Sequence, residues 1–123
     1  MSFLFSDEHT WLQRGEGDDN TATMGITLHA QDTLGDIVFV DLPAIGKTFA
    51  AKEVAGVVES VKAAADVHMP AGGEIIEVNE ALRADPSLAN SDPLGQGWFF
   101  KVKLTQLADL DSLMDEATYQ HTL

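Results

Sequence analysis

Lys62 stands in the run Val57-Val58-Glu59-Ser60-Val61-Lys62-Ala63-Ala64-Ala65-Asp66-Val67, between a β-branched stretch and three alanines. It is one of only seven basic residues, set against twenty acidic ones. Two strand-like runs around a short break of small residues read as a hairpin with the lysine near its tip. A primary amine held out on a tight turn, with only methyl groups beside it, is easy for another enzyme to reach and acylate. That is the geometry of a swinging-arm carrier. A solvated lysine at an ordinary hairpin turn accounts for the same spacing, so the rest of the chain must decide.

Other chemistry-bearing residues form weaker patterns. His9, His29, His68 and His121 are scattered, without H-x-x-x-H spacing and without cysteines to assist, so no metal site is expected. Asp7-Glu8 and Asp18-Asp19 fall in expected loops, where nothing apolar surrounds a carboxylate to raise its pKa. Gly15-x-Gly17 reads as a turn, and Ser60, with no histidine near it in sequence, as a strand residue. Trp11 and Trp98 read as core or rim aromatics.

Turn signals recur every eight to twelve residues, from Gly15 to Asn20, at Gly25, Gly35-Asp36, Pro43 to Gly46, Gly56, Pro70 to Gly73 and Pro93 to Gly97. Short apolar or alternating runs lie between them, the rhythm of a sandwich or barrel of short strands. The expected strands are Trp11 to Arg14, Thr21 to Ile26, Ile37 to Asp41, Lys47 to Ala50, Glu53 to Val61, Asp66 to Met69, Gly73 to Val78 and Gly97 to Leu104. Leu28 to Leu34 suits a short helix, with Thr27 as N-cap and Gly35 as its stop. Asn79 to Arg83 suits a helical turn before Pro86. From Gln106 onward Leu107, Leu110, Leu113 and Met114 follow helical spacing, extended by Tyr119. Gly56-x-Val58-x-x-Val61 and Gly73-x-Ile75-x-x-Val78 repeat one pattern on either side of Lys62. Two strands of similar composition, or two halves related by approximate two-fold symmetry, would each produce it.

Composition narrows the function classes. A chain of 123 residues with 45% hydrophobic content suits one domain, residues 1–123, with a real core. The formal charge of −13 repels phosphate backbones, which argues against nucleic acid and suits basic surfaces of partner proteins. No apolar run approaches the roughly 20 residues of a membrane-spanning helix. The start lacks a basic n-region and an Arg-rich amphipathic pattern, so no secretory or transit peptide is expected and the location is expected to be cytoplasmic. Absence of cysteine excludes a disulfide framework and a thiol nucleophile.

The ordered set of motifs resembles the H protein family of the glycine cleavage system. It includes His9-x-Trp11, Gly25-Ile26-Thr27 with Ala30-Gln31, Leu34-Gly35-Asp36-Ile37-Val38-Phe39-Val40, and Leu42-Pro43 with Gly46. Val58-Glu59-Ser60-Val61-Lys62-Ala63 is its centre, and Pro70, Gly73-Glu74, Glu77-Val78-Asn79, Asn90, Pro93, Gly97-Trp98, Leu113-Met114 and Tyr119 continue it. Biotin carriers, which share the fold, usually place methionine on both sides of the lysine, where this chain has Val61 and Ala63. Lipoyl domains of 2-oxoacid dehydrogenases usually have aspartate before it, and they lack the flanking blocks.

The resemblance implies a mainly β, hybrid barrel-sandwich fold of short strands, with a lysine-bearing hairpin, a short helix in the N-terminal third and a C-terminal helical segment. It implies lipoate in amide linkage on Lys62, with Glu59 recognised by the lipoate-attaching enzymes. It implies a non-catalytic carrier serving three partners: a pyridoxal-phosphate glycine decarboxylase, a tetrahydrofolate-dependent aminomethyltransferase and a flavin dihydrolipoyl dehydrogenase. The loaded arm would shelter in a cleft lined by Glu8, His9, Thr10 and Trp11, the Leu28 to Leu34 helix with His29, and Asp66-Val67. The family usually reads His-Glu-Trp where this chain has His9-Thr10-Trp11, so a glutamate that could bind the aminomethyl ammonium is missing at Thr10. His68-Met69 is also unusual. The departure at Thr10 keeps a second reading open, an H-like relay that donates lipoyl groups to other lipoyl domains.

Overall fold

The computed structural model describes residues 3–14, 20–105 and 107–123. The turn expected at Gly15-x-Gly17, the Asp18-Asp19 pair and the start of the C-terminal segment at Gln106 lie outside the described residues. Nine strands form two antiparallel sheets. The strands are β1 (Phe3–Phe5), β2 (Thr10–Arg14), β3 (Thr21–Ile26), β4 (Ile37–Asp41), β5 (Thr48–Phe49), β6 (Val54–Ser60), β7 (Ala64–His68), β8 (Gly73–Val78) and β9 (Phe100–Leu104). The larger sheet has the order β1-β2-β3-β9-β8-β5 and stays open; the smaller has the order β4-β6-β7. Mainly β architecture with a sandwich of short strands is therefore what the chain adopts.

Alternating side chains of both sheets meet in one core, with Leu12, Met24, Ile75 and Val102 from the large sheet and Val40, Val58 and Val67 from the small one. A satellite cluster on the outer face of β2 holds Phe5, Trp11 and Tyr119, with Phe3, Leu94, Trp98 and Met114 packed against it. Gly56 and Gly73, the glycines of the repeated pattern, meet the same constraint in different sheets. A Cβ at Gly56 would lie 2.5 Å from the Asp41 carbonyl oxygen on β4, and one at Gly73 would lie 2.6 Å from that of Lys103 on β9. Close strand approach leaves room only for hydrogen at each.

Four short helices are added to the sheets. α1 (Leu28–Leu34) has Thr27 as its N-cap, accepting from Ala30 N–H, and Gly35 at its C-cap with φ 78°. α2 (Glu80–Ala84) is capped by Asn79, and α3 (Leu88–Ser91) was not expected from the sequence. The C-terminal segment is not one helix. A 3-10 turn, Leu107–Ser112, ends where Met114 pairs with Phe5 through reciprocal N–H···O bonds of 2.8 Å, and α4 (Glu116–His121) follows, capped by Asp115. That bridge to β1 pulls the backbone out of helical geometry between the two pieces. β1 itself was not expected, since three apolar residues carry no alternation. β9 begins at Phe100 rather than Gly97, because the Gly97 N–H is used by the Asp92 carbonyl at 2.8 Å in the preceding turn. Among the described residues no helix is long and apolar enough to cross a membrane.

Candidate functional site

Lys62 occupies the turn between β6 and β7, whose last pair is Glu59↔Ala64. One hydroxyl organises that turn. Ser60 Oγ accepts from Lys62 N–H at 3.2 Å and Ala63 N–H at 3.1 Å and donates to the Ala63 carbonyl at 3.0 Å, while Ser60 N–H donates to the same carbonyl at 2.8 Å. Val61 N–H donates to the Asp36 carbonyl at 3.0 Å, tying the tip to the loop after α1. The lysine side chain leaves the turn exposed, its stem running over Gly35; a Cβ there would sit 3.3 Å from Lys62 Cε. Glu59 is exposed on β6, between its cross-strand neighbours Phe39 and Ala64.

The floor under the lysine is fastened by Asn90, from α3. Its Oδ1 accepts from Ile37 N–H at 2.8 Å, and its Nδ2 donates to the Gly35 carbonyl at 2.8 Å and to Gln31 Oε1 at 3.0 Å. One side chain thus joins the end of α1, the Gly35 turn and the start of β4.

A cavity of about 250 Å³ opens beside β7, the strand that leaves the lysine turn. Ile26, Ala30, Leu34, Val58, Ala65 and Val67 make its apolar wall. Glu8, His9, Thr10, His29, Thr33 and Asp66 supply its polar groups. The structure therefore brings together Glu8, His9, Thr10, His29 and Asp66. Trp11 is not among them. Neighbouring residues of a strand face opposite ways, so Thr10 meets the cavity and Trp11 enters the satellite cluster, 1% exposed, its Nε1–H donating to the Pro93 carbonyl at 2.9 Å.

The polar groups differ in how they are held. Glu8 Oε2 lies 2.8 Å from His68 Nδ1, and its other oxygen 3.9 Å from Lys52 Nζ. Thr10 is buried, its hydroxyl bonded to Ser6 Oγ at 2.6 Å. His9 sits at φ 64° in the loop between β1 and β2, left-handed backbone that disfavours a side chain. Its Nδ1 lies 2.7 Å from Tyr119 Oη, and its ring lies 4.5 Å from that of His29. Burial, helped by the neighbouring His29 and opposed by Asp7, lowers the His9 pKa below 6.5. No group of three or more potential metal ligands occurs among the described residues.

A sequence model of the family described as "Glycine cleavage H-protein" matches residues 3–123. The chain belongs to the glycine cleavage H-protein family. The glycine cleavage system H protein of Chromobacterium violaceum is 56% identical over 94% of this chain and 88% of its own length. That of Neisseria meningitidis serogroup B is 58% identical over 90% and 85%, and that of Bradyrhizobium diazoefficiens 52% identical over 97% and 96%. A crystal structure of a glycine cleavage system H protein from Mycobacterium marinum superposes with a TM-score of 0.89 at 37% identity, covering 99% of this chain and 98% of that one.

Within this H-protein family member, three residues at the site carried no legible functional signal in the sequence. Ser60 read as a strand residue, Asn90 as one residue of a turn-rich stretch, and Tyr119 as part of a helical face. Each acts through hydrogen bonds to backbone or to side chains far along the chain. Only Ser60, a hydroxyl residue beside a tight turn, had a local cue.

Proposed function

We propose that Lys62 carries lipoate in amide linkage and that this chain serves, as one carrier domain, the glycine cleavage system, the general role of its family. The observation that supports this best is an exposed amine on a turn fixed by Ser60, beside a cavity on the strand that leaves that turn. Asp66 lies four positions beyond Lys62, about 13 Å along an extended strand, a span that a lysine stem and a medium-chain acyl group can cover. The cavity suits such an arm: an apolar wall for the acyl chain, and carboxylates and imidazoles at its rim. Lipoate supplies the disulfide–dithiol pair that accepts the aminomethyl group and reducing equivalents.

The protein's residues do the rest. Ser60 fixes the turn, and Gly35 lets the lysine stem lie close to the backbone. Acylation removes the amine's charge and takes the formal net from −13 to −14, one positive charge fewer. Glu59, exposed across from Phe39, is the side chain offered to the lipoate-attaching enzyme. The cavity excludes water from whatever it holds, which slows hydrolysis of a labile cargo. Its partners are the pyridoxal-phosphate glycine decarboxylase, the tetrahydrofolate-dependent aminomethyltransferase and the dihydrolipoyl dehydrogenase, and the chain itself is a non-catalytic cytoplasmic carrier. Tethering makes each encounter effectively intramolecular.

One observation favours a second reading, the lipoate relay. Thr10 offers the cavity no carboxylate, and its hydroxyl is taken by Ser6. Intact-mass spectrometry with peptide mapping, on chain produced in a lipoate-supplied host, tests the first step. A single lipoyl amide on Lys62, lost in Lys62→Ala, is the expected result; an unmodified Lys62 beside a modified control domain sinks the assignment. Incubating the lipoylated chain with glycine and the decarboxylase then separates carrier from relay, since only a carrier gains the aminomethyl mass.

A further inference from the structure

Tyr119 joins the C-terminal helix to the cavity wall through a chain of hydrogen bonds whose direction follows from counting hydrogens. Ala30 N–H donates to Thr27 Oγ1 at 3.2 Å. Thr27 is 2% exposed, and among the described residues the Tyr119 oxygen, 2.9 Å away, is the acceptor its hydroxyl hydrogen has. Having accepted from Thr27, Tyr119 Oη directs its own hydrogen to His9 Nδ1 at 2.7 Å. A neutral imidazole that accepts at Nδ1 carries its proton on Nε2. No hydrogen bond to Nε2 is present among the described residues, and the ring borders the cavity. The lowered pKa of His9 agrees with a ring held neutral.

The backbone is committed to the same end. His9 keeps a left-handed φ of 64° where glycine would be unstrained. Its carbonyl accepts from Thr27 N–H at 3.1 Å, so the strained residue is tied to the N-cap that starts the chain of bonds. Phe5 stacks on the Tyr119 ring at 4.7 Å and fixes the phenol.

We propose that Tyr119 is a positioning residue that sets the tautomer of His9, so that His9 presents an Nε2–H donor, not a base, to the sulfur end of the acylated arm. This rests on the cavity being where that arm lodges. A donor suits sulfur, above all the anionic thiolate of a reduced arm, because charge on the acceptor strengthens the bond. The charged and titratable groups around His9 are Asp7 and Glu8 on its own loop, His29 on α1, Asp66 and His68 on β7, Lys52 beside Glu8, and Tyr119 on α4.

Nitrogen-15 NMR of the imidazoles tests both halves. In the unmodified chain His9 is expected as the Nε2–H tautomer. Tyr119→Phe, which keeps the stacked ring, should yield a tautomer mixture and raise the His9 titration midpoint by roughly half to one pH unit, the loss of one neutral hydrogen bond. Thr27→Ser, which keeps the hydroxyl, should retain the wild-type tautomer. An Nδ1–H tautomer in the wild type, or a Tyr119→Phe chain with unchanged tautomer and midpoint, overturns the tautomer assignment. In lipoylated chain, reduction with a phosphine should move the His9 Nε2–H resonance, and more in wild type than in Tyr119→Phe. An unmoved resonance, in chain shown by mass to be lipoylated, overturns the donor role. Failure of the lipoyl assignment would appear separately, as an unmodified Lys62 with the tautomer intact.

Discussion

At the scale of single residues, Ser60 spends one hydroxyl on three backbone groups of the lysine turn. Ser60→Ala should therefore loosen the tip without opening the core, at a cost of about 1 kcal/mol in denaturant unfolding. The larger effect is expected on Lys62 acylation, several-fold slower under a lipoate-attaching enzyme because the amine is no longer presented in one geometry. An unchanged acylation rate would show that the enzyme shapes the turn itself. His9 supports a second expectation. Burial lowers its pKa, so the unfolded chain takes up a proton before the native chain does. The contribution of neutral His9 to stability is full above pH 6.5 and is lost as the pH falls through its lower native value. Thermal melts across that interval should fall less steeply for His9→Asn, whose side chain tolerates left-handed backbone, than for the wild type.

At the scale of elements, α1, β4 and the lysine turn are held in register by groups that none of them contributes alone. Asn90 reaches from α3 to bond Ile37, Gly35 and Gln31 at once. Asn90→Ala leaves the Ile37 amide and the Gly35 carbonyl without this partner, and a loss of about 1–3 kcal/mol is expected by chemical denaturation. Amide exchange should quicken at Ile37 more than at Leu12, deep in the large sheet. The strands themselves were largely legible. Val58 and Ile75 mark inward positions by alternation, and Thr27 and Gly35 bracket α1 with a cap at each end. The C-terminal segment was not, because the Phe5–Met114 bridge that divides it joins residues more than a hundred positions apart.

At the scale of the whole molecule, the charge of −13 acts over distances that no single contact covers. Association with a partner presenting a basic face should slow as salt rises from roughly 0.01 to 0.15 M, where the screening length falls from about 30 to 8 Å. Stopped-flow binding to the aminomethyltransferase would read this as a falling on-rate with a nearly constant off-rate. A salt-independent on-rate would mean that shape and apolar contact dominate docking.

By itself the sequence determined which residue is offered for modification, which family the motifs belong to, and where most strands run. Those depend on neighbours in the chain: a period of two, a turn, a cap, a lysine between a β-branched run and alanines. Tertiary structure alone decided what surrounds the arm's cavity. It joined Ile26, Val58 and His9 around one hollow, turned Trp11 away from it, and set Tyr119, 110 positions from His9, against that imidazole. Such contacts arise only when two sheets close on a shared core, and the pattern of any single strand is compatible with many closures.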